Sequence, residues 1–102
     1  MYDLLIVGGG PAGVSAALTA RSRGREVLVV TNPPRSSPLA RAKLVTNYPG
    51  MDAVSGRQML EAMHHQLRAQ EIPLLEAKVV QILPAGDRFV CAAGSEVYEG
   101  RG

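Results

Sequence analysis

The run Leu4-Leu5-Ile6-Val7 passes directly into Gly8-Gly9-Gly10-Pro11-Ala12-Gly13, and an alanine-rich segment, Val14 to Arg23, follows at once. Four apolar residues without polar alternation suit a strand buried on both faces of a parallel sheet. The glycines then fall in the spacing Gly8-x-Gly10-x-x-Gly13, and each has its own physical use. Gly8 permits a tight turn, Gly10 lets a ligand approach the backbone, and Gly13 lets the helix pack closely on the strand. Pro11 gives up a hydrogen-bond donor that the first helical turn cannot satisfy anyway. The free amides and positive dipole end of such a helix attract phosphate. A glycine spacing alone is a weak signal. Strand, turn and helix in this order predict a dinucleotide-binding unit.

The next segments agree with that reading. Gly24 predicts the end of the first helix, and Val27-Leu28-Val29-Val30 a second strand that ends at Thr31. A loop rich in proline and small polar residues follows, Asn32-Pro33-Pro34-Arg35-Ser36-Ser37-Pro38, then the turn Asn47-Tyr48-Pro49-Gly50. Ser55-x-x-Gln58 reads as a capping box, and Met59, Leu60, Met63 and Leu67 recur at helical spacing behind it. Pro73 is expected to close this second helix. Leu74 to Leu83 holds one or two strands, Arg88 to Ala92 another and Glu96 to Glu99 a last, with turns at Pro84-Ala85-Gly86-Asp87 and Gly94-Ser95.

The expected fold class is therefore α/β: a Rossmann-like parallel sheet of the FAD/NAD(P)-binding type, flanked by helices, with a small β-hairpin or meander insertion. The first strand is expected at the centre of the sheet, and the sheet is expected to be incomplete. With 102 residues, positions 1–102 form one domain. The net charge of +2 comes from scattered Lys and Arg, with no basic stripe interleaved with aromatics, so nucleic acid is not an expected partner. No apolar run approaches a membrane span. The fingerprint begins almost at Met1, which leaves no room for a targeting peptide, so a cytoplasmic location is expected.

Cys91 is the only cysteine and sits in the apolar run Phe89-Val90-Cys91-Ala92, where a buried thiol is expected rather than a nucleophile. His64 and His65 are adjacent, so on a helix they point about 100° apart and cannot chelate one ion together. His64 falls near the Leu60/Leu67 stripe and His65 toward solvent, and no metal site is expected. No side chain stands out as an acid, base or nucleophile, so no catalytic residue is assigned.

The combination of Gly8-Gly9-Gly10-Pro11-Ala12-Gly13, Asn47-Tyr48-Pro49-Gly50 and Ser55-Gly56 ahead of a Met/Leu helix resembles the N-terminal FAD-binding segment of thioredoxin reductase and its relatives. These are FAD-dependent pyridine nucleotide-disulfide oxidoreductases. The resemblance covers nearly the whole chain. It implies that Gly8, Gly10, Pro11, Ala12 and Gly13 wrap the FAD pyrophosphate and that Thr31 handles the adenosine ribose. It also places Asn47 near the flavin end and the backbone of Val79 against adenine. By the same resemblance, 1–102 is part of an FAD-binding domain without the NADPH-binding domain, and NAD(P)H would engage a region missing from this chain. Two departures stand out. Ser36-Ser37-Pro38-Leu39 replaces the family's flavin-facing Gly-Gly-Gln-Leu, and the Cys-x-x-Cys redox pair is absent.

Two other readings stay open at this point. Thr31 in place of an acid, with Arg35 four residues on, could accommodate a 2′-phosphate in an NAD(P)-binding Rossmann protein without flavin. Alternatively, the lack of redox cysteines and of a second nucleotide site suits a non-catalytic nucleotide-binding or interaction module. An incomplete sheet exposes an unpaired edge and apolar surface, so self-association is expected as well.

Overall fold

The structure, a computed structural model, describes residues 1–33, 38–50 and 53–102. Strand β1 (Leu4–Val7) leads through the glycine loop into helix α1 (Pro11–Ser22), which returns the chain to β2 (Val27–Thr31). The crossover to the next strand carries a single turn, α2 (Pro38–Arg41), and the long helix α3 (Gly56–Ala69). Strand β3 (Leu74–Glu76) then pairs with β2, and the chain continues as a meander of β4 (Val79–Ala85), β5 (Arg88–Ala93) and β6 (Glu96–Gly100). The first sheet is parallel throughout, with Leu4 opposite Val27 and Val29 opposite Leu74. The meander is antiparallel, in the order β4-β5-β6.

The sheet order is β1-β2-β3, which corrects the expectation of a central first strand. Strand β2 holds the centre because all four of its apolar residues, Val27 to Val30, are buried. Val27 and Val29 face a core of Val14, Ala17, Met59, Met63, Leu67 and Ile72 from α1, α3 and the segment after it. Leu28 and Val30 face the other way, against Cys91 and Ala93 of the meander. A strand covered on both faces needs an unbroken apolar run, and β2 has one. Strand β1 is only half-buried. Its outer edge is met by the residues at and after the end of β6: the Tyr2 amide donates to Glu99 O at 3.0 Å and the Leu5 amide to Gly102 O at 2.9 Å.

Helix α1 starts at Pro11, the opening helical position expected of that proline, ahead of the alanine-rich run from Val14. It stops at Gly24, whose φ of +76° closes the helix as anticipated. Helix α3 opens on the expected capping box. The Gln58 amide donates to Ser55 Oγ, and the Ser55 amide to Gln58 Oε1, each at 3.1 Å. Its end is less comfortable, because Glu71 holds a φ of +56° two residues before Pro73. A side chain in that left-handed conformation costs about 1 kcal/mol, and glycine escapes the cost. Glu71→Gly is therefore expected to raise stability by about 0.5–1 kcal/mol in chemical denaturation, although most glycine substitutions lower it.

Candidate functional site

The glycine loop sits where β1 ends, and its neighbours fix it. The Gly8 amide donates to Val30 O at 2.8 Å, tying the loop to the central strand. The φ of +119° at Gly8 is a conformation that side chains rarely adopt, so the turn requires glycine there. Gly9 is buried, and a Cβ on it would lie 2.6 Å from Thr31 Oγ1 and 3.1 Å from His64 Nε2. The Gly10 carbonyl accepts the Val14 amide at 2.9 Å and so starts the helix.

Gly10 and Gly13 differ in what surrounds them. A Cβ on Gly13 would collide with the Gly8 carbonyl and come within 3.3 Å of Ile6 Cγ2. Gly13 is thus the contact that lets α1 lie against the turn and strand that precede it. A Cβ on Gly10 would meet nothing within 4 Å. Among the described residues none fills the space beside Gly10. The N-cap is Gly10, which has no side chain to cap the amides of the first helical turn, and no acidic residue lies in that turn. Amides left unpaired at a helix N-terminus are groups that attract anions in general.

A cleft of about 380 Å³ opens at this point, lined by the Gly8–Pro11 loop, Thr31 and Asn32 from the end of β2, Pro38 and Leu39 of α2, and Leu60 of α3. The structure therefore brings Gly8, Gly10, Pro11 and Thr31 together. Thr31 Oγ1 also donates to Asn32 O at 3.3 Å. Gly13 supports the cleft from behind, and Ala12 lies exposed one residue beyond its lining. Asn47 is exposed, and its turn borders a second cleft of about 350 Å³. Tyr48, Pro49 and Gly50 line that cleft with Val14 and Met63, and Pro11 belongs to both. Val79 opens β4 and packs on the Leu28/Val30 face. It follows Ala77 by two residues, and the Ala77 amide donates to Thr31 O at 2.9 Å. Arg35, Ser36 and Ser37 lie outside the described residues.

Sequence reasoning did not connect α3 to this site. His64 is buried, and its Nε2–H donates to Gly9 O at 2.8 Å. A carbonyl acceptor requires that proton on Nε2. The available signal was a polar residue on an apolar stripe, since a buried imidazole must find a partner. His65 is exposed, as expected. Among the described residues no three His, Cys, Asp or Glu side chains come together to hold a metal ion. No helix among them is long and apolar enough to cross a membrane.

Cys91 is buried against Leu28 and Val30, and this burial pushes its thiol above the ordinary value. The cause is the cost of forming a thiolate away from water. The folded chain thus holds the proton more tightly than the unfolded chain. The resulting stability is complete below the unfolded thiol pKa and is lost as pH rises through the folded value. At about pH 8, alkylation of Cys91 in the native chain is expected to be on the order of a hundredfold slower than in denaturant, because reaction must await opening.

The family described as "Pyridine nucleotide-disulphide oxidoreductase" matches residues 2–101. The thioredoxin reductase of Mycoplasma genitalium is 27% identical over 90 residues, covering 88% of this chain and 29% of that protein. The ferredoxin–NADP reductase of Ignicoccus hospitalis is 34% identical, covering 99% of this chain and 34% of that protein. A solved thioredoxin reductase from Gloeobacter violaceus superimposes with a TM-score of 0.91 at 28% identity, over 98% of this chain and 32% of that one. The chain thus spans about a third of the length of these relatives. It resembles the FAD-binding part of thioredoxin reductase-like flavoproteins, with a parallel β1-α1-β2 unit, an antiparallel meander and a glycine cradle at the head of α1. A match running from residue 2 to residue 101 places this chain in the pyridine nucleotide-disulphide oxidoreductase family.

Proposed function

We propose that the Gly8–Pro11 cleft holds the pyrophosphate and adenosine half of FAD. On this proposal the chain serves as part of the FAD-binding domain of a thioredoxin reductase-like oxidoreductase. The observation that carries the reading is the space at Gly10, open among the described residues, beside helix amides that their glycine N-cap does not cap, in a family of flavoproteins. Gly10, Ala12 and Gly13 offer backbone N–H groups to the phosphates, with Pro11 setting the first turn. Thr31, at the end of β2, offers its hydroxyl to the ribose. The Val79 backbone lies on the adenine side. From Pro11 the cofactor extends toward the Asn47 turn, where the second cleft begins. When bound, the isoalloxazine ring supplies the electron transfer, and the protein supplies position and shielding.

The same proposal limits what the chain does by itself. Passing electrons from a flavin to a disulfide needs a dithiol relay, and Cys91 is a single buried thiol without a partner cysteine. NAD(P)H is read as engaging a region outside this chain. A free buried thiol suits the reducing cytoplasm as its compartment. Exposed Val80, Leu83 and Val97 on the meander suit contact with a second protein surface, including another copy of the chain.

Titrating the purified chain with FAD and separately with NADPH, then assaying a disulfide substrate, tests the reading. It predicts saturable quenching of flavin fluorescence, weaker NADPH binding and no disulfide turnover. Tight NADPH binding without FAD binding would contradict it, as would turnover by the chain alone.

A further inference from the structure

We propose that His64 is the positioning residue of the phosphate-facing loop. Its Nε2–H bond to the Gly9 carbonyl fixes the Gly9–Gly10 peptide so that the Gly10 N–H faces the ligand. The inference rests on the reading that this loop takes the FAD pyrophosphate.

Three consecutive glycines form the least restrained backbone a chain can offer, so a loop built from them needs anchors. Gly8 is anchored through its amide to Val30, and Gly10 through its carbonyl to the Val14 amide. The peptide between Gly9 and Gly10 is held by neither bond. Its carbonyl is taken by His64 at 2.8 Å, from a residue 55 positions away in the sequence. In a trans peptide the carbonyl and the following N–H point in opposite directions. The Gly9 carbonyl points inward at α3, so the Gly10 N–H points outward. A Cβ on Gly10 would also meet nothing within 4 Å among the described residues, so the backbone there borders open space. No acceptor among the described residues takes the Gly10 amide. Flipping this peptide would bury the N–H against the imidazole and turn a carbonyl oxygen toward the phosphates.

The anchor is stiff because His64 itself has little freedom. It lies on the buried stripe of α3 with Leu60, Met63 and Leu67, and no polar side-chain atom buried among the described residues lacks a partner. A donor aimed in advance lowers the ordering cost of binding. Removing the imidazole leaves the buried Gly9 carbonyl unpaired, and the peptide becomes free to turn.

Two variants of the full chain, compared with the natural sequence, test this: His64→Leu, which keeps bulk without a donor, and His64→Gln, which restores a donor at comparable reach. The FAD dissociation constant is expected to rise about tenfold in His64→Leu and to stay within about twofold in His64→Gln. Without FAD, the Gly10 amide should give one sharp NMR signal in the natural chain and in His64→Gln. It should broaden or double in His64→Leu. A residue that merely filled space would lower the melting temperature of His64→Leu but leave the Gly10 signal and the FAD affinity of the folded chain unchanged. That outcome would overturn the proposal. Nitrogen shifts of the His64 ring in the natural chain decide the matter even if His64→Leu does not fold: an Nε2–H tautomer supports the anchor, and an Nδ1–H tautomer excludes it. Failure of the natural chain to bind FAD, with the Gly10 signal still dependent on His64, would instead remove the ligand reading and leave the anchor standing.

Discussion

Gly13→Ala is expected to destabilise the chain by about 3 kcal/mol, against the trend for its position. Within a helix, replacing glycine by alanine ordinarily gains up to about 1 kcal/mol, because alanine loses less backbone freedom on folding. Gly13 lies in the first turn of α1, so propensity alone predicts a gain. The added Cβ would overlap the Gly8 carbonyl, lie 3.0 Å from the Gly8 carbonyl carbon and press on Ile6. These are mostly backbone atoms, and the Gly8 amide is itself tied to Val30 O, so the turn has little room to yield. Helix and turn must separate, at the expense of Val14 and Ala17 in the core. Chemical denaturation of both proteins reads the effect. Equal or greater stability in Gly13→Ala would show that α1 does not need its close approach to the turn.

Gly10→Val is expected to have the opposite profile. Its Cβ meets nothing within 4 Å among the described residues, and its φ of −82° with extended ψ suits any side chain. The cost to folding is a poorer helix cap, about 1 kcal/mol or less. The isopropyl group would then fill the space assigned to the pyrophosphate. FAD affinity should fall at least about a hundredfold, a loss of about 2.7 kcal/mol in binding. The far-ultraviolet circular dichroism should be preserved. Undiminished FAD affinity in Gly10→Val would show that the loop carries no phosphate. Together the two variants separate the packing glycine from the one proposed to face the ligand, although both belong to the same short motif.

That separation marks how far the residues could be read in advance. Gly8, Gly10 and Gly13 received their expected roles from their spacing within a strand, turn and helix order, because each expected role follows from the absence of a Cβ at a fixed step along the turn and helix. The capping box at Ser55 was legible for a similar reason, since it is a local pattern of four residues. The position of β1 was not. Strand order depends on which neighbour buries which face, and the burial of β2 on both sides becomes visible only once α1, α3 and the meander are in place. His64 was placed on its stripe correctly, yet its partner lies 55 residues away in the sequence. No periodicity within α3 encodes that distance. The same holds for Leu60 and Asn32, which line the cleft only through tertiary packing. Ala12, Asn47 and Val79 received their ligand roles from family resemblance, and these roles belong to the proposal.

The central claim is that the glycine loop at the head of α1 takes the FAD pyrophosphate, and mapping backbone amide NMR shifts while FAD is added tests it most directly. The largest changes are expected at Gly9, Gly10, Ala12 and Gly13, with a second group at Thr31 and Asn32, because amides that donate to phosphate oxygens move furthest. Changes confined to the outer face of α1, at Ser15 and Thr19, or no change with FAD alongside a full response to NADPH, would contradict it.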